Sequence, residues 1–196
     1  MDCTIAVTRF NDDTWRENCK FRDKQSYPGC LYNTPCVIAN IIPYDINVIV
    51  LEMNNTQRKI LGIGMVKNRI KPKRIRVYND DFYNQFTYYS KLRIDRKELN
   101  DDENKLITVI EELIFYGSKH LQRGRGIQKL PDKMLVSPCI LQYLGEILVC
   151  RSNFKQAKDR LIENNLSIEW INQNKGNNLV TWLYTIFKSR RDLNIL

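Results

Sequence analysis

The stretch Asn47-Val48-Ile49-Val50-Leu51-Glu52-Met53 constrains the fold more than any other part of the chain. Its apolar run is continuous and largely β-branched, the pattern of a strand buried on both faces; a half-solvated strand would alternate. Met53-Asn54-Asn55-Thr56 supplies a turn, and Lys59 to Val66 supplies a second strand, so the two predict a hairpin. Gly62 and Gly64 lie two apart and share one face of that second strand. Glycine there lets another backbone, a bulge or a ligand come close, and this face is expected to be the centre of a site. The pair is not a dinucleotide fingerprint, because the third glycine is missing and no helix follows.

Upstream, residues 1–36 read as irregular, with a turn at Tyr27-Pro28-Gly29 and an extended Thr34-Pro35. Val37, Ile38, Ile41 and Ile42 read as strand. Downstream, Arg74-Ile75-Arg76-Val77-Tyr78 alternates like a strand, Asn79-Asp80-Asp81 turns, and a further strand is expected over Tyr88 to Ile94. Asn100 can cap a helix over residues 101–116 whose acidic first turn suits the positive end of the helix dipole. Leu106, Val109, Ile110, Leu113 and Ile114 repeat at helical spacing, and Gly117 is the expected stop. Residues 139–150 and 153–165 read as helices, the second with Phe154, Ala157, Leu161 and Ile162 on one stripe, and a last helix is expected over Leu179 to Lys188. Strands followed by helices give an α+β class. The expected architecture is a mixed β-barrel or curled sheet with a helical C-terminal region, divided into residues 1–130 and 131–196.

Charge points to a partner. Among 196 residues, 31 Lys and Arg face 22 Asp and Glu, a formal charge of +9. A basic surface serves solubility, or it binds a polyanion by releasing counterions from a phosphate backbone. Clustering favours the second. Lys67, Arg69, Lys71, Lys73, Arg74 and Arg76 put six basic residues into ten, beside the aromatic block Tyr78 to Tyr89. Basic residues track phosphates and aromatic faces stack bases. Gln122-Arg123-Gly124-Arg125-Gly126 adds planar guanidinium forks and glycines that let backbone amides approach an anion. The candidate nucleic-acid-binding residues are therefore Lys67, Arg69, Lys71, Lys73, Arg74, Arg76, Tyr88, Lys91, Arg93, Arg123 and Arg125.

No motif carries the full set of groups that hydrolysis needs. The single histidine, His120, sits in a basic neighbourhood. Glu52 is the most interesting carboxylate, and with Lys67 or Lys91 it would make a minimal nuclease centre; the expectation is a non-enzymatic protein. Six cysteines show no C-x-x-C spacing, so free thiols in a reducing compartment are expected, with no metal and no cofactor, and Cys139 and Cys150 are expected in the core. The 43% apolar content excludes a disordered chain. No apolar run reaches the ~18–20 residues of a membrane span, since Ile38 to Met53 is interrupted by Asn40, Pro43, Asp45, Asn47 and Glu52. Met1-Asp2-Cys3-Thr4 carries no basic stretch followed by an apolar one, so no signal peptide is expected.

Two resemblances follow from particular blocks. Val50-Leu51-Glu52-Met53-Asn54-Asn55, then Ile60-Leu61-Gly62-Ile63-Gly64-Met65-Val66-Lys67-Asn68, resembles the central hairpin of PUA-like domains (PUA, ASCH, EVE, YTH), which implies a small mixed barrel that binds RNA or modified bases. The YTH tryptophan cage has no counterpart here. Leu51-Glu52-Met53-Asn54-Asn55, Tyr89-Ser90-Lys91-Leu92-Arg93-Ile94-Asp95-Arg96 and Arg123-Gly124-Arg125-Gly126-Ile127 together resemble proteins of nucleocytoplasmic large DNA viruses. That resemblance implies a viral protein of the host cytoplasm or virion. The expected function is binding of DNA or RNA; the alternative is a virion structural protein, a minor capsid or core component, that binds an acidic protein partner.

Overall fold

The computed structural model describes residues 3–38, 41–116, 120–132, 159 and 178–191. The strand-rich hairpin forms as its sequence requires. β3 (Asn47–Asn54) and β4 (Lys59–Lys67) pair antiparallel through a turn in which Arg58 takes a left-handed φ of 53°. Leu51 pairs with Ile63 and Met53 with Ile60, so two residues of β4 oppose Glu52 in a bulge.

The N-terminal segment corrects the irregular reading of residues 1–36. It forms β1 (Cys3–Phe10), α1 (Asp12–Lys24) and β2 (Cys30–Thr34). β1 runs parallel to β3, with Val7 opposite Leu51, so β1, the crossover through α1 and β2, and β3 make a parallel unit. Helix α1 escapes detection because its buried residues are Asn18 and Arg22, with Trp15 beside them, and so show no apolar stripe. Polar contacts anchor it instead. Asn18 Nδ2 donates to the Leu31 carbonyl (2.8 Å), and Arg22 Nε donates to Asn18 Oδ1 (2.9 Å).

Two other predicted strands are absent. Neither the described part of residues 37–42 nor Arg74 to Tyr78 forms a strand. In the second segment Asn84 takes the backbone groups a neighbouring strand would otherwise hold: its Oδ1 accepts from the amides of Val77 (2.9 Å) and Tyr78 (3.0 Å). The strand expected over residues 88–94 is β5 (Phe86–Ser90) followed by β6 (Arg93–Asp95). The chain leaves the two-stranded ribbon β2–β5 at Lys91-Leu92 and joins the edge of the main sheet, where Met65 N donates to the Leu92 carbonyl (3.0 Å).

The main sheet has five strands in the order β6-β4-β3-β1-β7, where β7 is Gln128–Lys129. It is open, with β6 and β7 at its edges, and no closed barrel exists among the described residues. The protein is α+β, with its sheet covered on both faces. One face buries Ile5, Val7, Ile49, Leu51 and Met65 under α2 (Asp101–Phe115) and α3 (Leu179–Arg190). The other buries Ala6, Val48, Val50 and Val66 under the ribbon and α1. β3 is thus buried on both faces, as its unbroken apolar run requires.

Helix α2 has the expected cap. Asn100 Oδ1 accepts from Glu103 N (2.9 Å), and Glu103 Oε2 in turn accepts from Asn100 N (2.8 Å). Arg190 of α3 pairs with Glu103, which ties the end of one helix to the start of the other. The predicted helices 139–150 and 153–165, the stop at Gly117, and Cys139 and Cys150 lie outside the described residues. No described helix is long and apolar enough to cross a membrane.

Candidate nucleic-acid interface

Strand geometry decides which of the predicted residues reach the surface. Side chains alternate along a strand, so Tyr88 and Tyr89 point to opposite sides of the ribbon. Tyr88, the candidate for base stacking, is 1% exposed, and its hydroxyl accepts from Ile38 N (3.0 Å). Tyr89 is 37% exposed. The aromatic surface therefore belongs to Tyr89 and not to Tyr88. Tyr89 meets Tyr27 edge-to-face at 6.3 Å between ring centroids.

Arg93 is a second correction. It is 6% exposed and locked to Glu52, itself 2% exposed, by Nη2 to Oε2 at 2.8 Å and Nε to Oε1 at 3.1 Å. Tyr32 donates its hydroxyl to Glu52 Oε1 (2.9 Å), and Arg93 Nη1 reaches Asp95 (3.1 Å). Burial disfavours the Arg93 charge, but the Glu52 carboxylate outweighs it and raises the guanidinium pKa. Burial likewise holds the Tyr32 hydroxyl well above its ordinary range. Glu52 is thus a structural counter-ion enclosed by Tyr32 and Arg93, and the minimal nuclease centre with Lys67 or Lys91 does not assemble around it.

This network also accounts for the two glycines. A side chain at Gly62 would meet the Arg93 guanidinium (Nη2 at 2.5 Å) and the Glu52 carboxylate. One at Gly64 would meet Cys30 Cβ at 2.7 Å and the Tyr32 hydroxyl closer still. The close approach is present, but interior side chains make it. The glycine face is the floor of the core and not the centre of a site.

Seven of the remaining basic candidates gather on one surface. Lys67, Arg69, Lys71 and Lys91 line a cleft of about 250 Å³ with Tyr27 and Tyr89. Lys73, Arg74 and Arg76 line an adjoining cleft of about 460 Å³ that shares Tyr27 and Tyr89 and adds Phe21. The aromatic pair thus stands between two banks of cations. Lys71 Nζ lies 4.9 Å from the centroid of the Tyr89 ring.

Not every cation is free. Lys67 (3.8 Å) and Arg69 (2.6 Å) share Asp45, and Arg76 lies 3.4 Å from Asp81. Lys71, Lys73, Arg74 and Lys91 have no carboxylate partner among the described residues. Arg74 is aimed by donating Nε to the Asn84 carbonyl (2.9 Å). The exposed Arg123 and Arg125 join neither bank. Arg125 lies over Phe82 (5.6 Å) and lines a separate cleft.

Tyr27 and Tyr89 are the site residues that sequence reasoning misses. Tyr89 was legible once the strand's inward residue was known. Tyr27 had no local signal, because it meets Tyr89 only through the pairing of Leu31 with Tyr89. Among the described residues no group of His, Cys, Asp and Glu is arranged to hold a metal ion, and Cys3, Cys19, Cys30 and Cys36 are free thiols. His120 Nδ1 is buried without a hydrogen-bond partner among the described residues. Comparisons with family models, with curated proteins and with solved structures find no match to this chain.

Proposed function

We propose that this protein binds nucleic acid, without catalysis, through the Tyr27–Tyr89 surface and its two banks of cations. One observation carries the reading: Lys71, Lys73, Arg74 and Lys91, unneutralised by carboxylates among the described residues, surround an aromatic pair in which Tyr89 is exposed and Tyr27 is half-buried. Phosphates would lie along the lysine and arginine banks while a base stacks on Tyr89. Stacking needs an unpaired base, so single strands are preferred over duplex. An origin in a large DNA virus belongs to the same reading, and so does a PUA-like relationship of the hairpin.

The test is fluorescence-anisotropy titration with single-stranded DNA, single-stranded RNA and duplex at two salt concentrations. Four phosphate contacts give a salt slope of roughly −2.8 (single strand) to −3.6 (duplex), hence a loss of roughly 50- to 150-fold in affinity between 50 and 200 mM salt. Tyr89→Ala should weaken single-strand binding by ~1–3 kcal/mol. A folded protein that binds none of the three at 50 mM salt would refute the proposal and leave the face to an acidic protein partner.

A further inference from the structure

A third cleft, of about 230 Å³, opens at the carboxyl ends of the parallel strands β1 and β3 and shares no residue with the Tyr27–Tyr89 surface. Crevices beyond the carboxyl ends of parallel strands are where open α/β sheets place ligands. Its lining includes Arg9, Arg125, Gly124, Gly126, Asn55 and Tyr83, and contains no carboxylate. Arg9 is held by neutral acceptors: Nε donates to the Leu121 carbonyl and Nη2 to Gln128 Oε1 (2.9 Å). Its Nη1 has no partner, and no acid pairs with it among the described residues. Burial pushes the Arg9 pKa down to about 10, so the group stays charged at neutral pH. A half-buried cation without a counter-ion is costly unless something supplies the opposite charge.

The loop Gly124-Arg125-Gly126 lines one side of the cleft. Gly124 and Gly126 have φ of 130° and 65°, conformations that favour glycine. The amides of Gly124, Arg125 and Gly126 meet no acceptor among the described residues. Successive free amides in such turns form anion-binding concavities. The carboxylate that begins α1 is engaged elsewhere, since Asp12 accepts from Asn54 (2.9 Å) and Gln57 (2.7 Å). Exposed Tyr83 offers an aromatic wall beside the cations.

We infer that this cleft binds a phosphate monoester, held between Arg125, the Gly124–Gly126 amides and the charge of Arg9. The group has two sources, a free mononucleotide or the terminal phosphate of a nucleic-acid strand. The inference does not depend on the Tyr27–Tyr89 reading.

Calorimetric titration of the full chain with AMP, adenosine, inorganic phosphate and an oligonucleotide with or without a 5′-phosphate tests it. AMP is expected to bind at least tenfold more tightly than adenosine, and Arg125→Ala and Arg9→Gln should each weaken AMP at least tenfold. Arg9 also holds the Leu121 carbonyl, so the exposed Arg125 is the variant that keeps the test decisive if Arg9→Gln does not fold. Tighter binding of the 5′-phosphorylated oligonucleotide supports the inference with a strand terminus as the source. AMP binding without that gain supports it with a free mononucleotide. Equal affinity for AMP and adenosine, absence of binding by AMP and phosphate up to millimolar concentration, or unchanged AMP affinity in Arg125→Ala would overturn it. Failure of the surface reading looks different, as loss of binding to the unphosphorylated oligonucleotide alone.

Discussion

Removing the Glu52 carboxylate should destabilise the fold far more than it affects any surface property. In Glu52→Ala, Arg93 keeps a charge in a site where it is 6% exposed and is deprived of three N–H···O hydrogen bonds of 2.8 to 3.1 Å. Breaking a buried pair from one side typically costs ~3–5 kcal/mol. Asp95 remains 3.1 Å from Arg93 Nη1 and offsets part of this, which favours the lower end. Tyr32 simultaneously loses the carboxylate acceptor of its hydroxyl, at ~1–3 kcal/mol for a buried unsatisfied donor. The sum is ~4–6 kcal/mol, a large fraction of the ~5–15 kcal/mol that stabilises a typical domain. Urea unfolding followed by circular dichroism measures it. The double variant Glu52→Leu/Arg93→Met removes both charges at similar volume and should recover to within ~2 kcal/mol of wild type, because charge left unpaired is what destabilises the single variant. A single variant that costs under ~1 kcal/mol, or a double variant no more stable than the single, would refute the account of this core.

The two adjacent tyrosines should separate stability from binding: Tyr88→Ala should cost ~3–5 kcal/mol in unfolding free energy by emptying a packed core position, while Tyr89→Ala should unfold like wild type and bind oligonucleotide less well. Gly64→Val should lower the unfolding midpoint, since overpacking costs ~1–3 kcal/mol and a Cβ there already meets Cys30 Cβ at 2.7 Å; a variant that melts like wild type would mean the strand lies open. Burial raises the Cys30 thiol from 9.0 to about 12 and the Cys3 thiol to about 11, so the native state retains protons that the unfolded chain releases. That contribution is fully present below pH 9 and is lost as pH rises from 9 toward 12, and Cys30→Ala should show a shallower alkaline fall in melting temperature than wild type.

How much the sequence discloses depends on how local each cause is. The hairpin of β3 and β4 and helix α2 were legible because apolar runs, a turn and a cap sit side by side in the chain. Helix α1 was not, because Asn18 and Arg22 anchor its buried side through polar contacts that mean nothing without β2. Arg93 looked like one more basic residue of a basic segment; its partner Glu52 stands 41 positions earlier, and only the pairing of β6 with β4 brings them together. The bend at Lys91-Leu92, which makes one predicted strand into two, is tied by a bond from Met65 of a different strand to the Leu92 carbonyl. The basic segment itself was legible as charge. Its organisation around Tyr27 and Tyr89 required the register of the ribbon.

On the function proposed above, Lys71, Lys73, Arg74 and Lys91, which have no carboxylate partner among the described residues, hold a phosphate backbone beside that tyrosine pair. The most direct measurement is the slope of log Kobs against log salt for a single-stranded oligonucleotide, compared between wild type and Lys71→Ala/Lys73→Ala/Arg74→Ala. Removing one phosphate-binding cation should flatten the slope by about 0.7 on a single strand, so the triple variant should differ by about 2 while keeping the wild-type melting temperature. Identical slopes in the two proteins, with both folded, would contradict the account and move the phosphate-binding surface to another face.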